Sequence, residues 1–247
     1  MIVRKMLPTL TFDIETVPDI AGIRRLRNYD DGLSDGEIAN LAFKERMEKT
    51  GSEFLPLHLH QVVAISCVLR ATDEIRVWSL GDVDDPESQL IRRFFDGIEK
   101  FTPQIISWNG SGFDLPVLHY RGLLHGISAT RYWDMGEDDR DFKWNNYLNR
   151  YHDRHLDLMD TLSGFKKPAP LTDIAQLIGA PGKYGIDGSK VTEYYLQNDI
   201  KKIRDYCETD VLNTYLVFIR YLLISNNISK IKYDELLKEM FDYLDIS

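Results

Sequence analysis

The sequence predicts an α/β protein with a mixed sheet covered by helices, and the order of its elements carries that prediction. Its 247 residues suit one domain of generous size. Three strand patterns come early in the chain, interrupted only by an insertion and a turn. After them, strand patterns alternate with helical ones, which is typical of a sheet with helices packed against it.

The early strands are marked by their apolar patterns. The first covers residues 10–15, where apolar and polar side chains alternate, and Pro18 closes it. A mostly apolar strand is predicted at 62–69 and a third at 75–80, after a short turn. These three segments supply one half of the predicted sheet.

A long polar segment, about residues 19–57, separates the first two strands and is interpreted as an insertion. Within it, Ser34 and Glu37 have the spacing of a capping box. That spacing predicts a helix over about 35–49, which stops before Gly51. The sequence does not say whether this insertion shapes access to a cleft or contacts a partner.

Later elements follow from helical periodicity and from residues that begin or end helices. Pro86 is expected at the first position of a helix, where a missing N–H costs nothing. Asp199 is expected to cap the longest helix, and residues 134–154 carry no clear pattern. The predicted elements are a helix opened by Asp85-Pro86-Glu87, a strand at 104–107, a helix at 114–124, a short strand at 155–158, a small helix around 171–178, a long helix from Asp199 to about 223, and a helix at about 232–243 within a C-terminal helical extension of about 224–247.

Net charge, the length of apolar runs and the number of cysteines limit the classes of function that this chain could have. The net charge of −9 argues against a protein that coats long duplexes by counterion release. Local lysines or a cation-filled acidic cleft could still hold a few nucleotides. No apolar run approaches the length of a membrane span, and no apolar stretch typical of a secretory signal precedes Pro8. Cys67 and Cys207 are interpreted as reduced core residues. A cytoplasmic protein without membrane association is therefore expected.

Two carboxylates share one face of the first strand. Asp13 and Glu15 lie two residues apart, so their side chains leave one face, while Phe12 and Ile14 leave the other. Neighbouring carboxylates repel, and burying them is costly unless cations compensate. Because Mg²⁺ and Mn²⁺ prefer oxygen ligands, the pair predicts a metal site. The alternative is the polar face of an edge strand.

Two later motifs add acidic residues. Asp114 follows a strand and the glycine-rich loop 109–112, which would let the backbone approach a ligand. Asp114 could equally cap its own helix. Tyr206 and Asp210 lie one turn apart on the predicted long helix, so the phenol could hydrogen-bond a water near the carboxylate. Each motif alone is compatible with ordinary surface or core residues.

The chain order of these motifs resembles that of the 3′–5′ exonucleases named for four acids, Asp-Glu-Asp-Asp, in the branch that carries a tyrosine. The residues of these motifs are most similar to those of the exonuclease domain of family-B DNA polymerases. More narrowly, they resemble the bacterial family of predicted exonucleases related to that domain. The matching stretches are Phe12-Asp13-Ile14-Glu15-Thr16, Asn109 with Phe113-Asp114-Leu115-Pro116-Val117-Leu118, Leu156-Asp157-Leu158-Met159-Asp160, Tyr184-Gly185-Ile186-Asp187-Gly188 and Tyr206-Cys207-Glu208-Thr209-Asp210.

The resemblance implies a ribonuclease-H-like fold, with a five-stranded mixed sheet flanked by helices, and a single exonuclease domain over residues 1–247. The implied reaction is hydrolysis of phosphodiester bonds at the 3′ end of single-stranded nucleic acid. DNA is the favoured substrate, and RNA is the alternative. The implied cofactors are two divalent cations, Mg²⁺ or Mn²⁺, and the sequence leaves protein partners undetermined.

The resemblance also assigns roles to the acids. Asp13 would bridge both cations, Glu15 and Asp210 would complete the site that holds the attacking water, and Asp114 would serve the other cation. Tyr206 would orient the water, while the cation supplies most of its activation.

On the substrate side, the resemblance implies contacts from Thr16, Asn109 and Phe113. Phe113 could pack against terminal bases, because an aromatic face accepts any base, or it could be a core residue. Lysines at 166–167 and 183–190 could bind phosphates or could simply be solvated. A further aromatic group could line a strand groove or pack a loop, and the six histidines show no spacing typical of metal ligands. That aromatic group consists of Tyr132, Trp133, Trp144, Tyr147 and Tyr151.

Three other functions remain open from the sequence. An exoribonuclease is not distinguished, because contacts to the 2′-hydroxyl depend on geometry. A catalytically silent binding module would be expected to lack an acid, whereas all four acids and Tyr206 are present. An endonuclease or transposase-like protein of the same fold is disfavoured by the tyrosine motif.

Overall fold

A five-stranded mixed sheet forms the centre of the computed structural model, which describes residues 8–30, 32–71, 74–164, 166–180 and 190–246. The strand order is β3-β2-β1-β4-β5. β1 pairs antiparallel with β2, and β2 antiparallel with β3, whereas β1–β4 and β4–β5 are parallel. The predicted mixed sheet is confirmed. The strands are β1 (Thr9–Pro18), β2 (His60–Arg70), β3 (Ile75–Ser79), β4 (Gln104–Ser107) and β5 (His155–Asp157).

Helices pack on both faces of this sheet. The six helices expected from the sequence are present, with ends that differ by up to three residues from the expected ones, and α3 begins one residue after Pro86 rather than at it. In chain order the helices are α1 (Ile20–Arg27), α2 (Asp35–Thr50), α3 (Glu87–Phe101), α4 (Asp114–His125), α5 (Thr130–Trp133), α6 (Leu158–Ser163), α7 (Leu171–Leu177), α8 (Val191–Leu196), α9 (Ile200–Ile224) and α10 (Lys230–Ile246).

Local capping residues explain where two predicted helices begin. The Ser34 side chain accepts a hydrogen bond from the Glu37 N–H, and the Glu37 carboxylate accepts one from the Ser34 N–H at 2.8 Å. The predicted capping box is thus confirmed. At α9, the Asp199 carboxylate accepts from the Lys202 N–H, as expected. Both side chains satisfy backbone donors that the first helical turn leaves unpaired.

Four short helices were not expected from the sequence. α1 begins where the Asp19 side chain accepts from the Gly22 N–H, and α6 begins directly after β5, so that the strand ends at Asp157 rather than at Leu158. α5 and α8 have four and six residues. Helices this short are marginal on their own and depend on tertiary packing, which local periodicity does not report.

Two hydrophobic layers sandwich the central strand. Phe12 and Ile14 of β1 face a layer built with α3 and α4. On the other face, α9 packs across β1 and β2, and α10 packs against α9 and β3. Because side chains alternate along β1, Asp13 and Glu15 lie on the α9 side. None of the described helices is long and apolar enough to cross a membrane.

The C-terminal helix also covers the outer edge of the sheet. β3 is an edge strand, and the Tyr243 hydroxyl donates to the Val77 carbonyl at 3.1 Å and accepts from the Val77 N–H at 3.3 Å. Arg70 of β2 forms an ion pair with Glu239 of α10. These contacts occupy backbone groups that would otherwise invite pairing with another strand.

The segment 19–57 has a small core of its own and one buried ionic connection to the sheet layers. α1 and α2 enclose Ile23 and Ile38, which are fully buried. Arg121 of α4 forms ion pairs with Asp19, at the start of α1, and with Glu87 of α3, and all three side chains are buried. The connection therefore ties α1 to the layer that carries α4.

Arg121→Ala is expected to lower the free energy of unfolding by about 3–5 kcal/mol, because it leaves two buried carboxylates without their guanidinium partner. Urea unfolding followed by circular dichroism would measure the change. Arg25→Ala, on the exposed side of α1, is the control and should change stability little. A loss below about 1 kcal/mol at Arg121 would contradict the anchoring role.

Candidate active site

The first two acids of the candidate site lie side by side on β1. Asp13 and Glu15 are both half-buried, and potential ligand atoms of Asp13, Glu15 and Cys207 all lie within 4.8 Å of one another. Ile14, which lies between them in the chain, is 4% exposed and belongs to the opposite layer. The expectation that the two acids share a face is confirmed.

A change of register directly follows these acids. The pairing of β1 with β2 shifts between Glu15 and Thr16, which is the signature of a β-bulge. The Thr16 hydroxyl then lies 2.9 Å from His60 Nδ1. Because His60 Nε2 lies 3.1 Å from the Leu55 carbonyl, which can only accept, the ring donates there and Nδ1 accepts from Thr16. Burial lowers the pKa of His60, consistent with a neutral ring.

Asp114 reaches back from α4 to the strand that carries the other acids. It is the first residue of α4, 4% exposed, and its Oδ1 accepts a hydrogen bond from the Ile14 N–H at 3.2 Å. Phe113 occupies the N-cap position of α4, without a side-chain cap. The carboxylate also interacts with the backbone N–H of Asp114 itself, so it contacts both β1 and the first turn of its own helix.

The fourth acid and the tyrosine come from α9. Tyr206 is buried beside Val17 and Ile203, and its phenol hydrogen-bonds the Asp210 carboxylate one turn further along the helix. Burial, followed by the charges of Asp210 and Glu15, raises the pKa of Tyr206 above its ordinary value. The phenol is therefore protonated at neutral pH and acts as a hydrogen-bond donor.

Mutual repulsion identifies these acids as one cluster. Burial raises the pKa of Asp13 well above its ordinary value, and the charges of Asp114, Glu15 and Asp210 raise it further. Burial also raises the pKa of Asp114 to about 7, with a contribution from Asp157. Such a cluster is unfavourable in its ionised form unless cations neutralise it. Its donors are carboxylate oxygens, which suit hard divalent cations.

Cys207 is closer to the acids than its interpretation as a core residue implied. Both cysteines are buried and free, as expected. In addition, the Cys207 thiol lies 3.4 Å from the Asp13 carbonyl and 3.7 Å from Asp13 Oδ2. Cys207 thus helps to hold Asp13. Its position directly after Tyr206 was the available signal.

Phe113 belongs to a cluster of three rings beside the acids. Its ring centroid lies 5.7 Å from that of Phe54 and 5.2 Å from that of His60, and Phe54 and His60 are 5.3 Å apart. Phe113 is half-buried against the hydrophobic layer of α3 and α4, whereas Phe54 is 54% exposed. We call Phe54, His60 and Phe113 the ring cluster. Phe54 and His60 were not expected in the site.

The other candidate substrate residues differ in their burial and in whether the structure describes them. Asn109 is half-buried in the loop after β4, with a left-handed backbone (φ 66°). Lys166 and Lys167 are exposed. Residues 181–189, which hold most of the predicted lysine segment and the 184–188 motif, lie outside the described residues.

The aromatic group considered in the sequence is split by the fold. Tyr132 and Tyr147 are buried and stacked, 5.5 Å apart at 12°, and Tyr147 donates to the Pro103 carbonyl at 2.6 Å. Trp144 and Tyr151 are exposed. The two buried tyrosines therefore pack the 134–154 loop. Among the described residues, no histidine joins a group of three potential metal ligands.

Comparisons with known proteins place the chain in a family. Residues 52–247 match the model of a family described as predicted 3′–5′ exonucleases related to the exonuclease domain of PolB. β1, with Asp13 and Glu15, precedes the matched residues. β1 nevertheless pairs with β2 and β4, both inside the match, and so brings its two acids to Asp114 and Asp210.

Two polymerases show similarity to this chain. The catalytic polypeptide of DNA polymerase epsilon from Saccharomyces cerevisiae is 24% identical over 147 residues, which are 56% of this chain and 6% of that protein. The family B DNA polymerase from the hyperthermophilic archaeon Pyrobaculum calidifontis has a similar structure, with a TM-score of 0.54 and 20% identity over 87% of this chain and 24% of the polymerase chain. The structural likeness confirms the predicted ribonuclease-H-like fold.

Proposed function

We propose that this chain, which belongs to the family of predicted 3′–5′ exonucleases related to the exonuclease domain of PolB, hydrolyses phosphodiester bonds at the 3′ end of single-stranded nucleic acid. The proposal depends on one observation above all. The charges of Glu15 on β1, Asp114 at the start of α4 and Asp210 on α9 all act on Asp13, so carboxylates from three separate elements lie near one another. DNA is the favoured substrate, because both similar proteins are DNA polymerases.

The donor set fits two divalent cations. Asp13 interacts electrostatically with each of the other three acids, so it would help to hold both ions. Glu15 and Asp210 would hold the ion beside the attacking water, and Asp114 would contribute to the other. Bound Mg²⁺ or Mn²⁺ supplies the chemistry by lowering the pKa of the water and stabilising charge on the leaving 3′ oxygen.

Tyr206 orients rather than activates the water. Its raised pKa makes the phenolate scarce at neutral pH, so the phenol is a poor general base. Because its single O–H is donated to Asp210, the phenol oxygen can accept a hydrogen bond from a water molecule and so fix that water next to the carboxylate. Asp210 in this way determines the position of the phenol.

The ring cluster gives the site a surface for unpaired bases. Base–aromatic stacking contributes about 1–3 kcal/mol per base and tolerates any sequence. Phe113 directly precedes Asp114, so a base packed on the ring cluster would lie close to the acids. A base in a duplex is already stacked, so this surface favours a frayed or single-stranded 3′ end.

Phe54→Ala is expected to raise the KM for single-stranded DNA at least roughly fivefold, with a smaller change in kcat, because the variant loses stacking surface but no acid. Steady-state cleavage of a short oligonucleotide would measure both constants. Phe241→Ala on α10 is the matched control, since Phe241 is 48% exposed and far along the chain from the acids. Equal KM values for the two variants would contradict a substrate role for Phe54.

The function itself is tested with 5′-labelled single-stranded DNA and RNA in Mg²⁺ or Mn²⁺. A ladder that shortens from the 3′ end, and that disappears with EDTA, is the expected result. Comparison of the two substrates decides between DNA and RNA, and a closed circular strand tests for endonuclease cleavage. A folded protein that binds the oligonucleotides but cleaves none of them would instead indicate a binding module.

A further inference from the structure

The loop between β4 and α4 is tightly fitted to the sheet below it. Asn109 has a left-handed backbone, which is unusual for a residue with a Cβ. A Cβ on Gly110 would lie 2.3 Å from Ser107 Oγ, and a Cβ on Gly112 would lie 2.4 Å from Asn109 Oδ1. Gly110 is therefore required by close approach, because Ser107 Cβ would also lie 2.5 Å from the added atom, whereas the end of the Asn109 side chain could move away from a Cβ on Gly112. A strained loop of this kind persists only when its surroundings hold it.

Asp157 is the residue that holds the loop. It ends β5, where it lies opposite Ser107 in the parallel pairing with β4, and it is 7% exposed. Its Oδ1 accepts from the Asn109 N–H at 3.0 Å, and its Oδ2 accepts from the Ser111 N–H at 2.9 Å. One buried carboxylate thus fixes the backbone on both sides of Gly110.

The same carboxylate also begins the next helix. Asp157 is the N-cap of α6, and its Oδ1 accepts from the Met159 N–H at 3.1 Å. Hydrogen bonds to an ionised acceptor are stronger than neutral ones. Asp157 therefore joins the glycine-rich loop and α6 through main-chain contacts that depend little on the sequence of either.

We infer that Asp157 is a positioning residue for the 3′ end of the substrate, acting through the loop that carries Asn109 and Phe113. The inference rests on the proposed function. Asp114 has its own contact with β1 through the Ile14 N–H, so it does not depend on Asp157 alone. Loss of the loop contacts should consequently weaken substrate binding more than it slows the chemical step.

Asp157→Asn separates the two roles of the side chain, which are to cap α6 and to hold the loop between β4 and α4. Asparagine is about as good an N-cap as aspartate, so α6 keeps its start. An amide, however, offers only one acceptor oxygen, and its NH₂ group would face a backbone N–H of the loop. The variant therefore removes one loop contact and introduces a donor against a donor, without a change of size.

The experiment measures steady-state cleavage of single-stranded DNA by the full chain in saturating Mn²⁺, together with amide hydrogen exchange. Asp157→Asn is expected to raise KM about tenfold, as the loss of one buried hydrogen bond to a charged group implies, and to change kcat less. Exchange at the Asn109 and Ser111 amides should accelerate. Asp153→Asn removes an exposed carboxylate just before β5 and should alter neither KM nor exchange.

A double-mutant cycle tests whether Asp157 acts through the loop. If it positions Asn109, then adding Asp157→Asn to Asn109→Ala should raise KM by clearly less than the same change raises it in the wild-type protein. Independent, multiplicative effects would overturn the inference. So would a wild-type KM in Asp157→Asn, whether or not its amides exchange faster. Failure of the proposed function is distinguishable, because the wild-type protein itself would then cleave no 3′ end while its exchange could still be measured.

Discussion

Asp13→Ala is expected to abolish metal-dependent cleavage, with a loss in kcat on the order of a thousandfold or more. The charge of Asp13 interacts with those of all three other acids, so its removal is expected to disrupt both halves of the proposed cation site. Metal-ion stabilisation of the transition state is worth several kcal/mol, and each 1.36 kcal/mol corresponds to a factor of ten in rate. Single-turnover cleavage of 5′-labelled DNA in Mn²⁺ would measure the loss.

Two further variants make this result specific. Tyr206→Phe keeps all four carboxylates and should slow cleavage less than Asp13→Ala does. Asp205→Ala removes an exposed acid next to Tyr206 on α9 and should leave the rate unchanged. Circular dichroism would show that each protein is folded. Full activity in a folded Asp13→Ala protein would overturn the assignment of the site.

Local patterns in the sequence were sufficient to predict the relative positions of site residues that lie on the same strand or the same helix. Alternation on β1 predicted that Asp13 and Glu15 share a face, and helical spacing predicted that Tyr206 and Asp210 lie together. Both depend only on the geometry of one strand or one helix. The same reasoning gave the capping box at Ser34.

Contacts between segments that are distant in the chain could not be predicted from such local patterns. The contact of the Asp114 carboxylate with the Ile14 N–H joins residues one hundred positions apart in the chain, so no local pattern predicts it. Phe54 lies in a segment with no motif, and only the fold brings its ring to Phe113. Asp157 stood in a recognised motif, but its contact with the loop depends on the parallel pairing of β4 with β5.

The insertion at residues 19–57 could be recognised from the sequence, but its role could not be predicted. Its polar composition separated it from the strands, whereas its contacts with the site arise only from the fold. The Phe54 ring joins the ring cluster, the Leu55 carbonyl accepts from His60, and Asp19 connects the segment to the α4 layer through Arg121. The family match begins at residue 52, just before Phe54. Most of the segment thus precedes the matched residues, whereas Phe54, its contribution to the proposed substrate surface, lies just inside them.

Asp114→Asn is expected to stabilise the metal-free protein by an amount that grows as the pH rises. The pKa of Asp114 is raised from 3.8 to about 7 in the folded protein, so the folded state keeps a proton that the unfolded state releases. The wild-type protein therefore loses stability as the pH rises from about 4 through 7, by up to roughly 4 kcal/mol. The asparagine variant does not, and its amide oxygen can still accept from the Ile14 N–H.

Comparison of the two proteins isolates this effect from opposing titrations. Burial lowers the pKa of His119 and His155 to about 4 and also lowers that of His60. These groups add stability as the pH rises towards 6.5, but they are present in both proteins and cancel in the difference. Thermal unfolding in EDTA from pH 4 to 8 would measure it, and a difference that shrinks with rising pH would contradict the prediction.

Addition of the cation should narrow the difference in stability between the two proteins at high pH. A ligand that binds only the folded state stabilises it by RT ln(1 + [L]/Kd), about 2.7 kcal/mol at a hundredfold excess over Kd. Saturating Mn²⁺ should therefore stabilise the wild-type protein at pH 8 much more than Asp114→Asn, which has lost one anionic ligand. If Mn²⁺ stabilised both proteins equally, Asp114 would not belong to the cation site, and the cluster would lose one of its four acids.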